Sequence, residues 1–216
     1  MNTSNNVNRY IDELIERYPV LEENKSSILN AYSILEQSYI NNGKLLIAGN
    51  GGSAADSEHI AGELMKSFKL SRNVSSDFAQ KLISVDADRG KLLAENLQGT
   101  LTAIPLVSHS ALSTAYINDV DGLGVFAQQL FGFGQKGDVF LAISTSGNSE
   151  NVLRAAVVAR AMDIKIIGLT GKKGGKLAEI ADETIRVPET ETFKIQELHL
   201  PIYHCLCLML EERFFA

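Results

Sequence analysis

Five short apolar runs punctuate the chain, and between them apolar residues recur every three or four positions. The runs are KLLIAG (44–49), LTAIPLVS (101–108), DVFLAIS (138–144), IKIIGLT (164–170) and ETIRVP (183–188). Apolar runs of this length, closed by glycine, serine, threonine or proline, predict buried strands. The intervening stretches 53–69, 109–116, 123–134, 149–161 and 174–181 predict helices, and 191–215 predicts one long apolar helix. Ahead of the first strand, residues 7–41 are helical in two pieces divided at Pro19, and Asn41, Asn42 and Gly43 end the second. This makes 1–43 an N-terminal helical segment. Near-continuous apolar strands alternating with helices place a parallel sheet between two helical layers. The expected fold is therefore an α/β three-layer sandwich, doubly wound on a five-stranded parallel sheet, with long helices at both ends. Residues 73–100 are polar and helical and interrupt the sheet layer. They read as an excursion appended to a single domain spanning 1–216.

Composition narrows the partners. The chain has 216 residues, 45% hydrophobic and 21% charged, with a formal net charge of −6, which suits one soluble globular domain. No basic footprint is present, which argues against a sequence-independent nucleic-acid binder. No apolar run approaches the roughly 20 residues that span a bilayer, so no membrane partner is expected. The first ten residues, MNTSNNVNRY, lack the apolar core of a signal peptide, which points to the cytoplasm. Cys205 and Cys207 are two apart in the last helix and so point about 200° apart, which favours packing over a bridge or a shared metal.

Two strand ends carry unusual loops. GNGGS (49–53) follows the first strand and STSGNS (144–149) follows the third, and both lead into helices. Ligands of open parallel sheets bind at the carboxyl ends of the strands. A helix start there offers free N–H groups and a positive dipole end to an anion, while glycines admit close approach and hydroxyls add donors. Neither loop has a Lys or Arg, so neither is a P-loop, and neither is a GxGxxG dinucleotide loop. The plainer reading makes Ser149 a helix cap and the rest turn chemistry. Two such loops on one sheet favour a phosphate site.

The helix leaving the first loop carries His59 and Glu63 four residues apart, one turn apart on one face. By itself this is also the pattern of an exposed ion pair. The last helix carries Gln196, His199 and His204. Gln196 and His204 lie about 80° apart around the axis and can share a pocket, whereas His199 lies about 140° from His204 and suits packing. Two chemistries remain open. One is acid–base work by a carboxylate and an imidazole on either side of a substrate. The other is a metal site of two imidazoles, a carboxylate and an amide oxygen, the last an uncommon ligand for zinc.

The stretches LLIAGNGGSAADSEHIAGEL, INDVDG, GDVFLAISTSGNSENV, GLTGKKGGKLAEIAD and KIQELHLPIYH together resemble the sugar isomerase (SIS) domain family, over about residues 25–215 apart from the excursion. Within it, HxxxE after the first loop and QExHxxxxH near the end are similar to the sedoheptulose 7-phosphate (phosphoheptose) isomerase branch. The resemblance implies a five-stranded parallel sheet in flavodoxin-like order and a homotetramer with sites at subunit interfaces. It implies an aldose–ketose isomerase that converts D-sedoheptulose 7-phosphate to D-glycero-D-manno-heptose 7-phosphate through an enediol, with no redox or nucleotide cofactor. Carried over by position, Asn50, Gly51, Gly52, Ser53, Glu63, Asn118, Asp119 and Gln196 contact substrate. Ser144, Thr145, Ser146 and Ser149 hold the phosphate, and Glu63 and His204 form the acid–base pair. In zinc-bound members, His59, Glu63, Gln196 and His204 match the ligands of one ion per subunit. The chain departs from the commoner pattern in its excursion, at Ser67, where an Arg is frequent, and at Phe193, where an Asp is frequent. These departures bear on the sugar's identity, so an isomerase for a different ketose phosphate is an alternative. Two rivals share the fold. One is a non-catalytic adaptor that binds the replication initiator DnaA, but that branch lacks the carboxylate and imidazole matching Glu63 and His204. The other is a phosphosugar-sensing regulatory domain, which usually carries a DNA-binding segment that residues 1–40 do not suggest.

Overall fold

A computed structural model describes residues 3–216, with side chains described from Val7 onward. Residues 1 and 2 of the expected helical segment, and of the polar amino terminus that bears on targeting, lie outside the described residues. The strands are β1 (Leu45–Ala48), β2 (Ala103–Pro105), β3 (Val139–Ile143), β4 (Lys165–Thr170) and β5 (Glu183–Arg186). They pair in parallel throughout, in the order β2-β1-β3-β4-β5. This is the expected flavodoxin-like order. It places the topological switch, where consecutive crossovers leave in opposite directions, between β1 and β3.

Strand periodicity divides the interior into two cores. Leu45 and Ile47 of β1 and Leu141 and Ile143 of β3 face one helical layer. Leu46, Ala48, Phe140 and Ala142 face the other. The first layer is built from α1 (Thr3–Arg17), α2 (Lys25–Ile40), α3 (Gly52–Met65) and α10 (Thr192–Phe215). A 3-10 segment, Pro19–Asn24, separates α1 from α2 at the predicted proline. The second layer holds α7 (Val125–Phe133), α8 (Glu150–Ala161) and α9 (Leu177–Ile180). Residues of β1 and β3 alternate between the layers, so both strands are apolar on both faces, as a covered parallel strand must be, whereas the edge strand β5 buries only Ile185.

Three boundaries differ from the sequence pattern. The run 101–108 forms only the three residues of β2, at the sheet edge. Pro105 has no N–H to give a further ladder, and an edge is where a sheet tolerates proline. The predicted helix 174–181 shrinks to α9, because Gly174 and Gly175 take φ of 71° and 59°. The predicted helix 109–116 extends to α6 (Ser110–Asp119), so Asn118 and Asp119 lie in a helical turn.

The excursion is a helical hairpin of α4 (Ser76–Val85) and α5 (Ala87–Asn96). Ser75 and Asp86 cap the two helices by accepting the amides of Phe78 and Arg89. An Asn73–Gln98 bridge and a 2.6 Å bond from the Gly99 amide to the Arg72 carbonyl tie its two ends together. No residue of α4 is buried, and Phe78, Val85 and Leu92 are exposed. Both cysteines are free and buried in α10. Among the described residues no helix is long and apolar enough to cross a membrane.

His199 is an electrostatic liability of the core. It is wholly buried in α10, and among the described residues neither ring nitrogen has a side-chain hydrogen-bond partner. Burial pushes its pKa from 6.5 down to about 4, an effect the nearby Thr170 backbone offsets only in part. Between those two values the unfolded chain takes up a proton that the folded chain refuses, so stability falls as pH falls through that window. The expected loss is roughly 3 kcal/mol, from a fall of the pKa from 6.5 to about 4 at about 1.4 kcal/mol per tenfold change in proton affinity. Urea unfolding followed from pH 7 to pH 4 checks this. His199→Leu is expected to remove most of the slope, and an unchanged slope would assign it to other groups.

Candidate active site

The first loop places its groups by backbone conformation. Gly51 has φ of 58° and stands at the N-cap of α3 with no side-chain cap, so the helix start is left open. Gly52 begins α3 so close to the Gln196 amide that a Cβ there would collide with it. Gln196, from the first turns of α10, thus lies across the mouth of the α3 helix start. Ser53 is buried at 3% exposure. Asn50 exchanges two 2.9 Å hydrogen bonds with Asn151 of α8, which locks the two strand-end loops at a fixed separation.

The second loop is held from beneath. Gly147 has φ of 66°, and a Cβ on it would run into the Gly174 carbonyl. The Leu177 amide donates to the Gly147 carbonyl at 3.0 Å, and the Lys176 amide to Asn148 Oδ1 at 3.1 Å. The GKKGG turn after β4 is therefore the floor of the STSGNS loop, and its glycines exist for that close packing. Ser149 stands at the N-cap of α8 but makes no capping bond. Its Oγ lies 3.0 Å from Ser144 Oγ instead, so the plain capping reading fails. Ser146 Oγ accepts the Asn148 amide at 3.1 Å, and the Thr145 carbonyl accepts the Gly171 amide at 3.0 Å.

Neither loop holds a cation, but the fold supplies two nearby. Lys172 and Lys173 of the GKKGG turn line a cavity of about 300 Å³ together with Thr145, Ser146 and Asn148. The anion cradle is thus bordered by ammonium groups that the loops themselves lack. A second open cavity, of about 310 Å³, lies between Gly49–Gly51, Asn151 and Ser113 and Ile117 of α6.

The helix faces meet where α3 packs on α10. His59 Nε2 lies 3.2 Å from Glu63 Oε1 and 3.4 Å from His204 Nε2. His204, not His199, is therefore the imidazole brought to the α3 carboxylate, and the link runs through His59. Lys66 Nζ lies 3.2 Å from Glu63 Oε2. Phe68 stands beside His204, with ring centroids 5.4 Å apart. Burial first, then the neighbouring His59, holds the His204 imidazole below its usual range, against the pull of Glu63, so the ring is neutral at pH 7. On its other side His204 borders a small groove of about 140 Å³ with Glu13 and Arg17 of α1.

The remaining predicted residues sit apart from this trio. Asn118 and Asp119 are exposed at the end of α6, where Asn118 Nδ2 donates to Asp119 Oδ1 at 2.7 Å. Among the described residues no hydrogen bond joins Gln196 to His59, Glu63 or His204. Of the departures noted in the sequence, Ser67 gives its amide to Gln98 Oε1 at 2.7 Å, and Phe193 is exposed at the start of α10.

The donors suit zinc in kind: two imidazole nitrogens and a carboxylate oxygen, with His59 Nε2 3.2 Å from Glu63 Oε1 and 3.4 Å from His204 Nε2. Their present arrangement does not close on a cation, since among the described residues no three His, Cys, Asp or Glu side chains form such a set.

Several contributors escape the sequence pattern. Tyr203 bonds both His59 and Asp56. Asp56 was legible in principle, because 56, 59 and 63 fall on one helix face. Arg72 and Glu211 form a buried pair at 2.8 Å that joins the end of α3 to α10. Nothing local to Arg72 or Glu211 signals it.

Comparison with known proteins gives a consistent picture. The SIS domain family model matches residues 9–105 and 96–171. Phosphoheptose isomerase from Helicobacter hepaticus is 44% identical over 185 residues, covering 86% of this chain and 81% of the relative. The structure of phosphoheptose isomerase from Francisella tularensis superposes with a TM-score of 0.74 at 29% identity, covering 97% of this chain and 98% of that one. The Neisseria gonorrhoeae enzyme superposes with a TM-score of 0.70 at 32% identity, covering 95% and 93%.

Proposed function

Because the chain belongs to the SIS domain family and, within it, to the phosphoheptose isomerases, we propose that it interconverts D-sedoheptulose 7-phosphate and D-glycero-D-manno-heptose 7-phosphate. The observation that carries the chemistry is the meeting of Glu63 and His204 around His59, beside two hydroxyl-rich helix starts. In this reading Ser144, Thr145, Ser146, Ser149 and Ser53 seat the phosphate with the open helix N-termini. Asn50, Gly51, Gly52, Gln196, Asn118 and Asp119 bind the sugar.

The carbonyl at C2 acidifies the C1 hydrogens. Glu63 removes one, the electron pair forms the C1–C2 double bond, and the C2 oxygen takes a proton from His204. The enediol then loses its C1 hydroxyl proton to His204 as the C1 carbonyl forms, and Glu63 returns its proton to C2. In its neutral form His204 gives its ring N–H proton to the C2 oxygen and takes one back from the C1 hydroxyl, so it ends the cycle as it began. His59, Glu63, Gln196 and His204 are proposed as the residues that would hold zinc, which when bound would polarise the substrate carbonyl. Glu63 serves either as ligand or as free base, so the two roles compete.

We place the protein in the cytoplasm as a homotetramer with sites near subunit interfaces. The exposed apolar residues Leu112, Ile117 and Val120 of α6 and its following turn support an associating surface. Incubation with sedoheptulose 7-phosphate, followed by NMR, tests the activity: the aldose should accumulate. No turnover of any ketose phosphate would overturn it, and tight DnaA binding in its place would favour the adaptor. Equilibrium dialysis against zinc and a light-scattering mass test the other two proposals, with no bound zinc or a monomer mass counting against them.

A further inference from the structure

We propose that Lys172 and Lys173 are the cationic half of the phosphate site: they reach over the STSGNS loop from the end of the neighbouring strand and select a substrate that carries a phosphate monoester. The identity of the sugar rests on the isomerase reading above, but the anion does not.

Both lysines line the cavity of about 300 Å³ with Thr145, Ser146 and Asn148. Ser146 Oγ accepts the Asn148 amide, so its own proton is left for a ligand. Lys44, Lys136, Lys165 and Lys194 are each paired with a carboxylate. Among the described residues neither Lys172 nor Lys173 has such a partner, and both are exposed. Their backbone is nonetheless fixed. The Gly171 amide donates to the Thr145 carbonyl at 3.0 Å, the Lys172 amide to the Glu189 carbonyl at 2.9 Å and the Gly174 amide to the Gly171 carbonyl at 3.0 Å. A Cβ on Gly171 would strike Ile195, which forms part of the same cavity wall. The two stems are thus anchored to the loop they serve, while the ammonium heads stay free to close on an anion.

Charge makes the pair necessary. A phosphate monoester carries about −1.5 to −2 at pH 7, and hydroxyls and amides leave that charge uncancelled. The whole chain has a formal net charge of −6 and repels such a ligand at long range. Against this background KKGGK (172–176) is a local run of cations without an acid. One carboxylate, Glu189, also borders the cavity and opposes an anion there. The cavity is continuous with the rest of the site: Gln196, the residue after Ile195, is the one that lies against Gly52 at the start of α3. A phosphate between the lysines and the loop can therefore belong to the same molecule as a sugar held by Gln196.

Lys172→Gln and Lys173→Gln should each raise KM for sedoheptulose 7-phosphate by about 3- to 10-fold, the share of one charge-assisted contact. Because the phosphate is remote from C1 and C2, kcat should stay within about twofold. Glu189→Gln should lower KM, whereas Lys176→Gln, outside the cavity, should leave it within about twofold. Opposite signs for the lysines and Glu189 are what a charge effect gives and a loosened turn does not. Binding of inorganic phosphate, followed by 31P NMR, needs no turnover. The wild type should bind it, and the double variant Lys172→Gln with Lys173→Gln should bind it at least about tenfold more weakly. A wild type that binds no phosphate would overturn the proposal, as would a double variant of unchanged phosphate affinity. Phosphate bound through the lysines without turnover of any ketose phosphate would leave the anion site standing and remove the isomerase reading.

Discussion

Glu63→Gln should lower kcat on sedoheptulose 7-phosphate by about 100- to 10,000-fold, the range that removal of a general acid or base produces. The amide has the shape of the carboxyl and no basicity. The side chain is 13% exposed and its neighbours His59 and Lys66 are within hydrogen-bond reach, so the fold has little to lose. KM should change by no more than a few-fold, because the phosphate is gripped by other residues. Rates measured by NMR together with unfolding midpoints check both halves. Turnover near the wild-type rate would remove Glu63 from the mechanism. Loss of activity together with loss of folding would assign it a structural part instead.

Removing one member of the Arg72–Glu211 pair should destabilise the protein by roughly 3–5 kcal/mol, a large share of the 5–15 kcal/mol that holds a typical domain together. Arg72 is 0% and Glu211 1% exposed. Arg72 Nε donates to Glu211 at 2.8 Å, Nη1 to the Leu64 carbonyl at 2.8 Å and Nη2 to the Glu63 carbonyl at 3.1 Å. These carbonyls are at the C-terminal end of α3, where the helix leaves them without intrahelical partners, and Leu64 also accepts the Leu101 amide at 3.0 Å. Glu211 also accepts the amides of Phe68 and Lys69, each at 2.8 Å. Burial raises the Glu211 carboxyl, but those amides and Arg72 outweigh it and hold the group below its usual range. The pair is a clamp: it pins the end of α3, just after Glu63, onto α10 beyond His204. Arg72→Met should show the full loss in urea unfolding. Arg72→Met combined with Glu211→Leu should recover only part, since the Phe68 and Lys69 amides and the Glu63 carbonyl then lose these partners, while the Leu64 carbonyl keeps the Leu101 amide at 3.0 Å. Complete recovery would show that the charges, and not the backbone groups they satisfy, set the cost.

Much of this was legible along the chain because it is local. β1, β3 and β4 begin and end within one residue of the apolar runs, since burial on both faces demands continuous apolar residues. His59 and Glu63 share a face because four residues make about one helical turn. Where the pattern misled, a non-local term won. Gly174 and Gly175 read as the start of a helix, yet they turn left-handed because Gly147 needs the space above them. Ser149 read equally well as a cap, and only its neighbour Ser144 shows that its hydroxyl faces elsewhere. The loops contained no cation, but Lys172 and Lys173 arrive from the next strand's end.

The amino-acid sequence by itself determined the succession of strands and helices, the two hydroxyl- and glycine-rich strand ends, and the α3 face that bears His59 and Glu63. Each of these depends on residues within a turn or two of one another, where backbone geometry ties spacing to direction. Only the tertiary structure decided which imidazole of α10 reaches that face, and that Tyr203 reaches around to His59 from 144 positions away. It also decided that a buried charge pair separated by 139 residues would hold the two helices in register. Those outcomes rest on how β1 and β3 come to lie side by side and on how α10 crosses back over α3. Such contacts are set by burying apolar surface across the whole chain, and no short stretch of sequence carries that information.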